Sequence, residues 1–283
     1  METNEQMALT VVVESLRERR QLFFICWAII LGLAIAYAIF SRPVYRAELV
    51  LVPVEADNSS GLMSSLGGQL GQFASLAGIN VSGNSNLQTH LALLESKDFT
   101  RNFIRSNGIL PALYANDWDT ETDNWRKGRE RTTWQVLEDF ERKVRSVNYD
   151  SASNIVRLRI DWYSGELASE WANAMGDQLN DLIRQRTIQE ASDSIRYLQE
   201  ELERNSIVGV EQSIYRLIES QVNKIMLANV RKEYAFQIID PAIPPSEDAQ
   251  LRPNRPLIIA IGLVLGFVFA AFIAVVVSAL RNV

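Results

Sequence analysis

Cysteine and histidine are almost missing from the 283 residues: Cys26 and His90 are the only ones. A single cysteine inside an apolar run supplies no disulfide framework. A single histidine without cysteine partners reads as a structural side chain, not a metal ligand. Charge is missing from two long stretches. From Leu22 to Phe40 about 19 residues pass without one, and from Leu257 to Leu280 about 24. About 20 apolar residues cover about 30 Å of hydrocarbon, so both runs are long enough to span a membrane. A signal peptide would have an apolar core of about 7–15 residues and a small-residue cleavage site. The first run is longer, ends on bulky Tyr37 and Phe40, and has no such site. Two transmembrane helices are therefore expected.

Catalytic signatures are missing too. There is no Gly-x-x-x-x-Gly-Lys-Ser/Thr; the Gly-rich "SSLGGQLG" lacks the lysine. There is no Gly-x-Ser-x-Gly elbow. A Ser/His/Asp triad would need His90, which falls on an apolar helical face. Asp117/Asp119 and Glu121/Asp123 could mimic a two-carboxylate or divalent-cation site, but they read as a solvated turn. The net charge of -6 argues against nucleic acid. The runs hold no ionisable side chain for a proton or ion path. The expectation is a non-enzymatic protein without cofactor or metal.

Two spans divide the chain into residues 1–21, a first span 22–40, a loop 41–256, a second span 257–280 and residues 281–283. Both ends then lie on the same side. Arg17, Arg19, Arg20 and Arg281 flank the spans outside the loop, against Arg42, Arg46, Arg252 and Arg255 inside it. That near tie leans slightly toward cytoplasmic ends.

The loop opens on "VYRAELVLVPVEAD", read as a strand with Ala47, Leu49 and Leu51 on one face and Glu48, Val50 and Val52 on the other. From Asn58 to Leu94 there is no charge but much Leu, Met, Phe and Ile, which suits packing against a second subunit or a membrane surface. Leu87, Leu91, Leu94, Phe99, Phe103 and Ile104 are at helical spacing, with a stop at "SNG". "NDWDTETDNWRKGRERTTW" reads as a loop with short helices, and "TWQVLEDFERKV" as an amphipathic helix. "RSVNYDSASNIVRLRIDWYS" reads as a hairpin, with "DSASN" its turn and Ile155, Leu158, Ile160 and Trp162 following. A long helix is expected over about 164–204, with a second helix carrying Val210, Ile214, Leu217 and Ile225. Such an extended pair cannot bury all its faces, which favours oligomerisation. "EYAFQIID" returns as a strand able to pair with the first. The fold class is α+β: two transmembrane helices flank an α/β domain placed next to the membrane, with a long extended helix.

Pro244, Pro245, Pro253 and Pro256 precede the second span, and Gly262 and Gly266 lie four apart within it. Pro256 suits a first helical turn; the others hold the approach extended. The glycine pair permits close contact with the first span or with a neighbouring subunit.

In "YAFQIIDPAIPP", "LRPNRP", "IGLVLG", "LGGQLGQFASLAGI" and "LALLESKDFTRNFI" the chain resembles the Wzz-type chain-length determinants, or polysaccharide co-polymerases, over essentially its whole length. The resemblance implies a bacterial inner-membrane protein with a periplasmic loop and cytoplasmic ends, forming bell-shaped homo-oligomers. It implies regulation of the modal length of O-antigen or a related surface polysaccharide, as in lipopolysaccharide biosynthesis. The partners it implies are a Wzy-type polymerase and its lipid-linked polysaccharide. With only Arg281, Asn282 and Val283 after the second span, the kinase-less class is expected. The alternative is a capsule or exopolysaccharide export adaptor linking the inner membrane to an outer-membrane channel.

Overall fold

The computed structural model describes residues 20–54, 84–204 and 208–281. Residues 1–19, 55–83, 205–207 and 282–283 lie outside them, and with them most of the uncharged stretch. In chain order the elements are α1 (Arg20–Phe40), β1 (Tyr45–Pro53), α2 (Asn84–Glu95), α3 (Lys97–Ser106), α4 (Leu110–Leu113), β2 (Trp118–Asp119) and β3 (Asn124–Trp125). They continue with α5 (Thr133–Lys143), β4 (Arg145–Asp150), β5 (Ile155–Trp162), α6 (Gly165–Arg204), α7 (Val208–Val230), β6 (Phe236–Asp240) and α8 (Arg255–Arg281). The fold is mixed α/β, with an apolar helix near each end.

The described residues form two compact units. The first holds α1, Tyr163–Gly165 and the chain from Pro245 onward. Here α1 and α8 are both long and apolar enough to cross a membrane. Next to them, Val44 donates to the Arg252 carbonyl and Leu251 to the Val44 carbonyl, each at 2.8 Å.

The second unit runs over Ala47–Trp162 and Glu166–Pro244. Its sheet has the order β4-β5-β1-β6, with β4/β5 and β1/β6 antiparallel. Strand side chains alternate between faces. Ala47, Leu49 and Leu51 of β1 and Val156, Leu158 and Ile160 of β5 are buried on one face. Val156 thus takes the core place expected of Ile155, which sits half-buried on the opposite face. On that face Glu48 pairs with Arg159 at 2.6 Å and Arg157 at 3.4 Å. Phe103, Phe140, Met175, Leu179 and Phe236 complete the core. Burying each such side chain is worth about 1.5–3 kcal/mol.

Local sequence explains the boundaries. The helical spacing from Leu87 to Ile104 runs through two helices, not one. Ser96 breaks it: its extended backbone starts α3, and its hydroxyl accepts from the Phe99 amide at 3.2 Å. This is an N-cap, and the short polar side chain that makes it competes with a continuous helix. The buried Arg145 guanidinium fastens the break. It donates to the Leu94 carbonyl at 2.8 Å, the Thr100 hydroxyl at 2.7 Å and the Glu95 carbonyl at 3.4 Å. α3 stops at Asn107, followed by Gly108 at φ +59°, a left-handed turn that glycine adopts without strain. Thr132 and Gln135 form a reciprocal capping box that starts α5.

The Asp/Trp-rich segment departs from the expected loop with short helices: it contains the two-stranded hairpin β2/β3. Trp118 pairs across it with Trp125, their rings 5.2 Å apart. Cross-strand aromatic packing stabilises so short a ladder, and the many polar residues between the tryptophans hide that pairing from a pattern reading.

At about 1.5 Å per residue, the 40 residues of α6 extend about 60 Å. Ala168, Trp171, Met175, Leu179 and Ile183 face the core, whereas beyond them Ala191 is the only side chain of α6 to be buried. Of the four apolar residues expected on one face of α7, Ile214 is buried, Ile225 half-buried, and Val210 and Leu217 exposed.

Candidate functional site

The apolar helix pair carries three of the six residues singled out near the second span: Pro256, Gly262 and Gly266. The pair runs antiparallel. A Cβ added at Gly262 would lie 2.4 Å from the Ala34 Cβ. One at Gly266 would meet Trp27 Cδ1 at 3.2 Å and Ile30 Cγ2 at 3.3 Å. Both glycines therefore face α1 of the same chain, where absence of a side chain lets the backbones approach. The Trp27 indole N–H donates to the Leu263 carbonyl at 3.2 Å, and Phe23 and Phe267 meet edge to face at 5.3 Å. A hydrogen bond to a mid-helix carbonyl matters more where water is absent, since nothing else satisfies the indole.

The prolines are distributed, not clustered. Pro244 is exposed at the end of the second unit. Pro245 packs against Gly165, where an added Cβ would meet its Cδ at 3.0 Å. Pro253 is buried and follows a cis peptide bond. Pro256 is in the first turn of α8, where its missing N–H removes no helical bond. Asn254 precedes it, its carbonyl accepting from Ile258 at 3.0 Å.

Among the described residues of the second unit, most of the exposed large apolar side chains lie on the far part of α6 and on α7. Tyr197, Tyr215, Leu217, Val222, Met226 and Leu227 are all exposed there. A shallow hollow between the two helices is lined by Asp193, Ser194, Tyr197, Leu198, Leu217 and Gln221. Contiguous exposed apolar surface of this kind marks a contact face more often than a catalytic cleft.

The acidic residues have local partners. Asp117 binds Arg129 at 2.8 Å and Arg131 at 3.3 Å, which holds its carboxyl below the usual range. Asp119 accepts from the Glu121 amide and the Thr122 hydroxyl, each at 3.0 Å, and is likewise held low. Burial pushes the Tyr114 phenol up, as does its 2.8 Å bond to Asp139. Burial lowers His90, whose ring meets Phe236 at 6.0 Å. Among the described residues, no three of His, Cys, Asp and Glu are grouped to hold a metal ion.

Sequence reading missed Trp27 and Ala34, which complete the helix seam, and two polar residues of α6, the half-buried Asn173 and the buried Asn180. A tryptophan in the middle of an apolar run was the available signal for the first pair. Two asparagines seven apart on one helix face were the signal for the second.

Comparison with known proteins adds the following. Residues 5–107 match the family described as Wzz, chain length determinant protein. Among solved structures, a full-length bacterial polysaccharide co-polymerase is similar at 12% identity and a TM-score of 0.45, covering 95% of this chain and 97% of its own. A fragment of WzzB, a polysaccharide co-polymerase from Salmonella Typhimurium, is similar at 11% identity and a TM-score of 0.28, covering 72% of this chain and 97% of its own. No curated protein sequence matches. The matched segment takes in α1, β1, α2 and α3, so the first apolar helix and the first core strand belong to it. The likeness to the chain length determinant family thus lies in residues 5–107, a little over a third of the chain.

Proposed function

We propose that the chain sets the modal length of a bacterial surface polysaccharide, O-antigen or a related polymer, made by a Wzy-type polymerase on a lipid carrier. It does so as a homo-oligomeric scaffold of the inner membrane, with residues 41–256 in the periplasm and both ends in the cytoplasm, and it neither makes nor breaks glycosidic bonds. The observation that carries this reading is the match of residues 5–107 to the chain length determinant family. The two apolar helices support membrane anchorage. The exposed apolar side chains of α7 support assembly, because a second copy laid along them would remove that surface from water at about 25 cal/mol per Å². Regulation then comes from the geometry of the assembled helices and their contact with the polymerase.

The test is the polysaccharide length profile on a gel from a deletion strain with and without this gene. A restored modal band supports the reading. A profile unchanged by the gene, or export lost while polymer length stays normal, overturns it.

A further inference from the structure

Two asparagines of the long helix do work that the apolar core does not need. Among the described residues β6 is an edge strand of the sheet, paired on one side with β1. An edge strand presents amide and carbonyl groups that require another partner. Asn180, 3% exposed, supplies one from α6. Its Oδ1 accepts from the Phe236 amide at 2.9 Å and the Ala235 amide at 3.0 Å, and its Nδ2 donates to the Phe236 carbonyl at 2.8 Å. Asn173 repeats the pattern two turns earlier. Its Oδ1 accepts from the Ala242 amide at 2.9 Å and its Nδ2 donates to the Ala242 carbonyl at 2.8 Å.

A carboxamide offers the same acceptor and donor as a peptide group, so each asparagine pairs with β6 or its extension as one residue of a neighbouring strand would. Apolar packing is non-directional and tolerates sliding, whereas these five bonds fix which residues of α6 oppose which residues of β6. A buried amide is costly unless fully paired, and here both atoms of each amide are used. Leucine at either position would fill the space without setting a register.

We propose that Asn173 and Asn180 are positioning residues. They lock β6 and the backbone as far as Ala242 onto the long helix, and the length of the polymer depends on that lock. The second part rests on the function proposed above. From Ala242 the sequence continues through Ile243, Pro244 and Pro245 toward α8, so the locked segment is the one that leads to the second apolar helix.

The experiment uses the full chain, in detergent for amide hydrogen exchange and in the deletion strain for polymer length. Asn180→Leu should speed exchange at Ala235 and Phe236, and Asn173→Leu at Ala242, by about tenfold or more. Leu158 and Ile160 should stay protected. Asn180→Asp and Asn173→Asp keep the acceptor and lose the donor, so they should fall between wild type and leucine. They also decide the matter if the leucine variants fail to fold. Modal polymer length should shift in the same rank order, with the amount of chain in the membrane unchanged. Unaltered exchange at Ala235, Phe236 and Ala242 would overturn the lock itself. Faster exchange with an unchanged length profile would overturn its role in the output. A wild-type chain that leaves polymer length unchanged defeats the proposed function and with it that role, while the exchange measurement still reads the lock.

Discussion

Adding one methyl group at Gly262 should weaken the pairing of α1 with α8 more than the same change at Gly266 or Gly32. The Cβ of Gly262→Ala would lie 2.4 Å from the Ala34 Cβ. Carbon atoms in contact prefer about 3.5–4.0 Å, so the helices must part by roughly 1 Å or more. Both clashing atoms are fixed to backbone, and no side-chain rotation relieves them. Overpacking of this kind costs about 1–3 kcal/mol. Parting also stretches the 3.2 Å bond from Trp27 to Leu263, worth about 1 kcal/mol between apolar helices. Together the loss is about 2–4 kcal/mol. At Gly266 the nearest atoms are side-chain atoms of Trp27 and Ile30 at 3.2 and 3.3 Å, which can yield by a few tenths of an ångström. At Gly32 nothing lies within 4 Å, so alanine there is neutral or gains helix propensity. The assay is unfolding of the full chain in mixed micelles at rising dodecyl sulfate, with helix separation read by energy transfer between probes at the ends of α1 and α8. The expected order of damage is Gly262, then Gly266, then Gly32. Equal midpoints for Gly262→Ala and Gly32→Ala would refute the close-packed seam.

Arg145→Met should destabilise the second unit by about 3 kcal/mol, because it strips donors from the Leu94 and Glu95 carbonyls and removes the charge opposite Glu141. Glu141 Oε1 is buried, lies 3.8 Å from Arg145 and has no hydrogen-bond partner in the structure. A thermal melt shifted by less than about 1 kcal/mol would show that the guanidinium does not hold the α2/α3 break. Asp117 is held low by Arg129 and Arg131. Its folded value lies below the unfolded one, so its contribution is complete above about pH 4 and is lost as pH falls through the folded value. Between pH 6 and 3 the melting temperature of Asp117→Asn should therefore fall less than that of wild type; parallel curves would mean that the pair adds nothing.

The parts legible in the sequence were those written in local periodicity. Two uncharged runs gave the apolar helices, and the alternation of Ala47, Leu49 and Leu51 gave the face of β1. The turn residues around Asp150 gave the β4/β5 hairpin: Asp150 accepts from the Ala152 amide at 3.0 Å and Asn154 adopts φ 55°. Steps of three and four gave α6. The pairing of β1 with β6 followed from two strands, each adjoining an apolar run. What stayed hidden depends on partners distant in sequence. Ser96 looks like any polar residue within a helical spacing until its hydroxyl is seen on the Phe99 amide. Trp118 and Trp125 are separated by residues typical of a loop, so their cross-strand packing leaves no period. Asn173 and Asn180 look like solvent-facing positions of an amphipathic helix, because their partners are backbone groups more than 50 residues away. The glycine pair was visible as a pattern, but its facing surface, Ala34 and Trp27, depends on how the helices meet.

The most direct test of a scaffold that regulates without catalysing is reconstitution. Purified polymerase in liposomes is supplied with lipid-linked repeat units, with and without this chain at fixed polymerase concentration. The predicted result is a narrower distribution of polymer lengths around a new mode, with no glycosidic bond made or cleaved by the chain in the absence of polymerase. Bond formation or cleavage by the chain alone, or a length distribution that its addition leaves unchanged, would contradict the account.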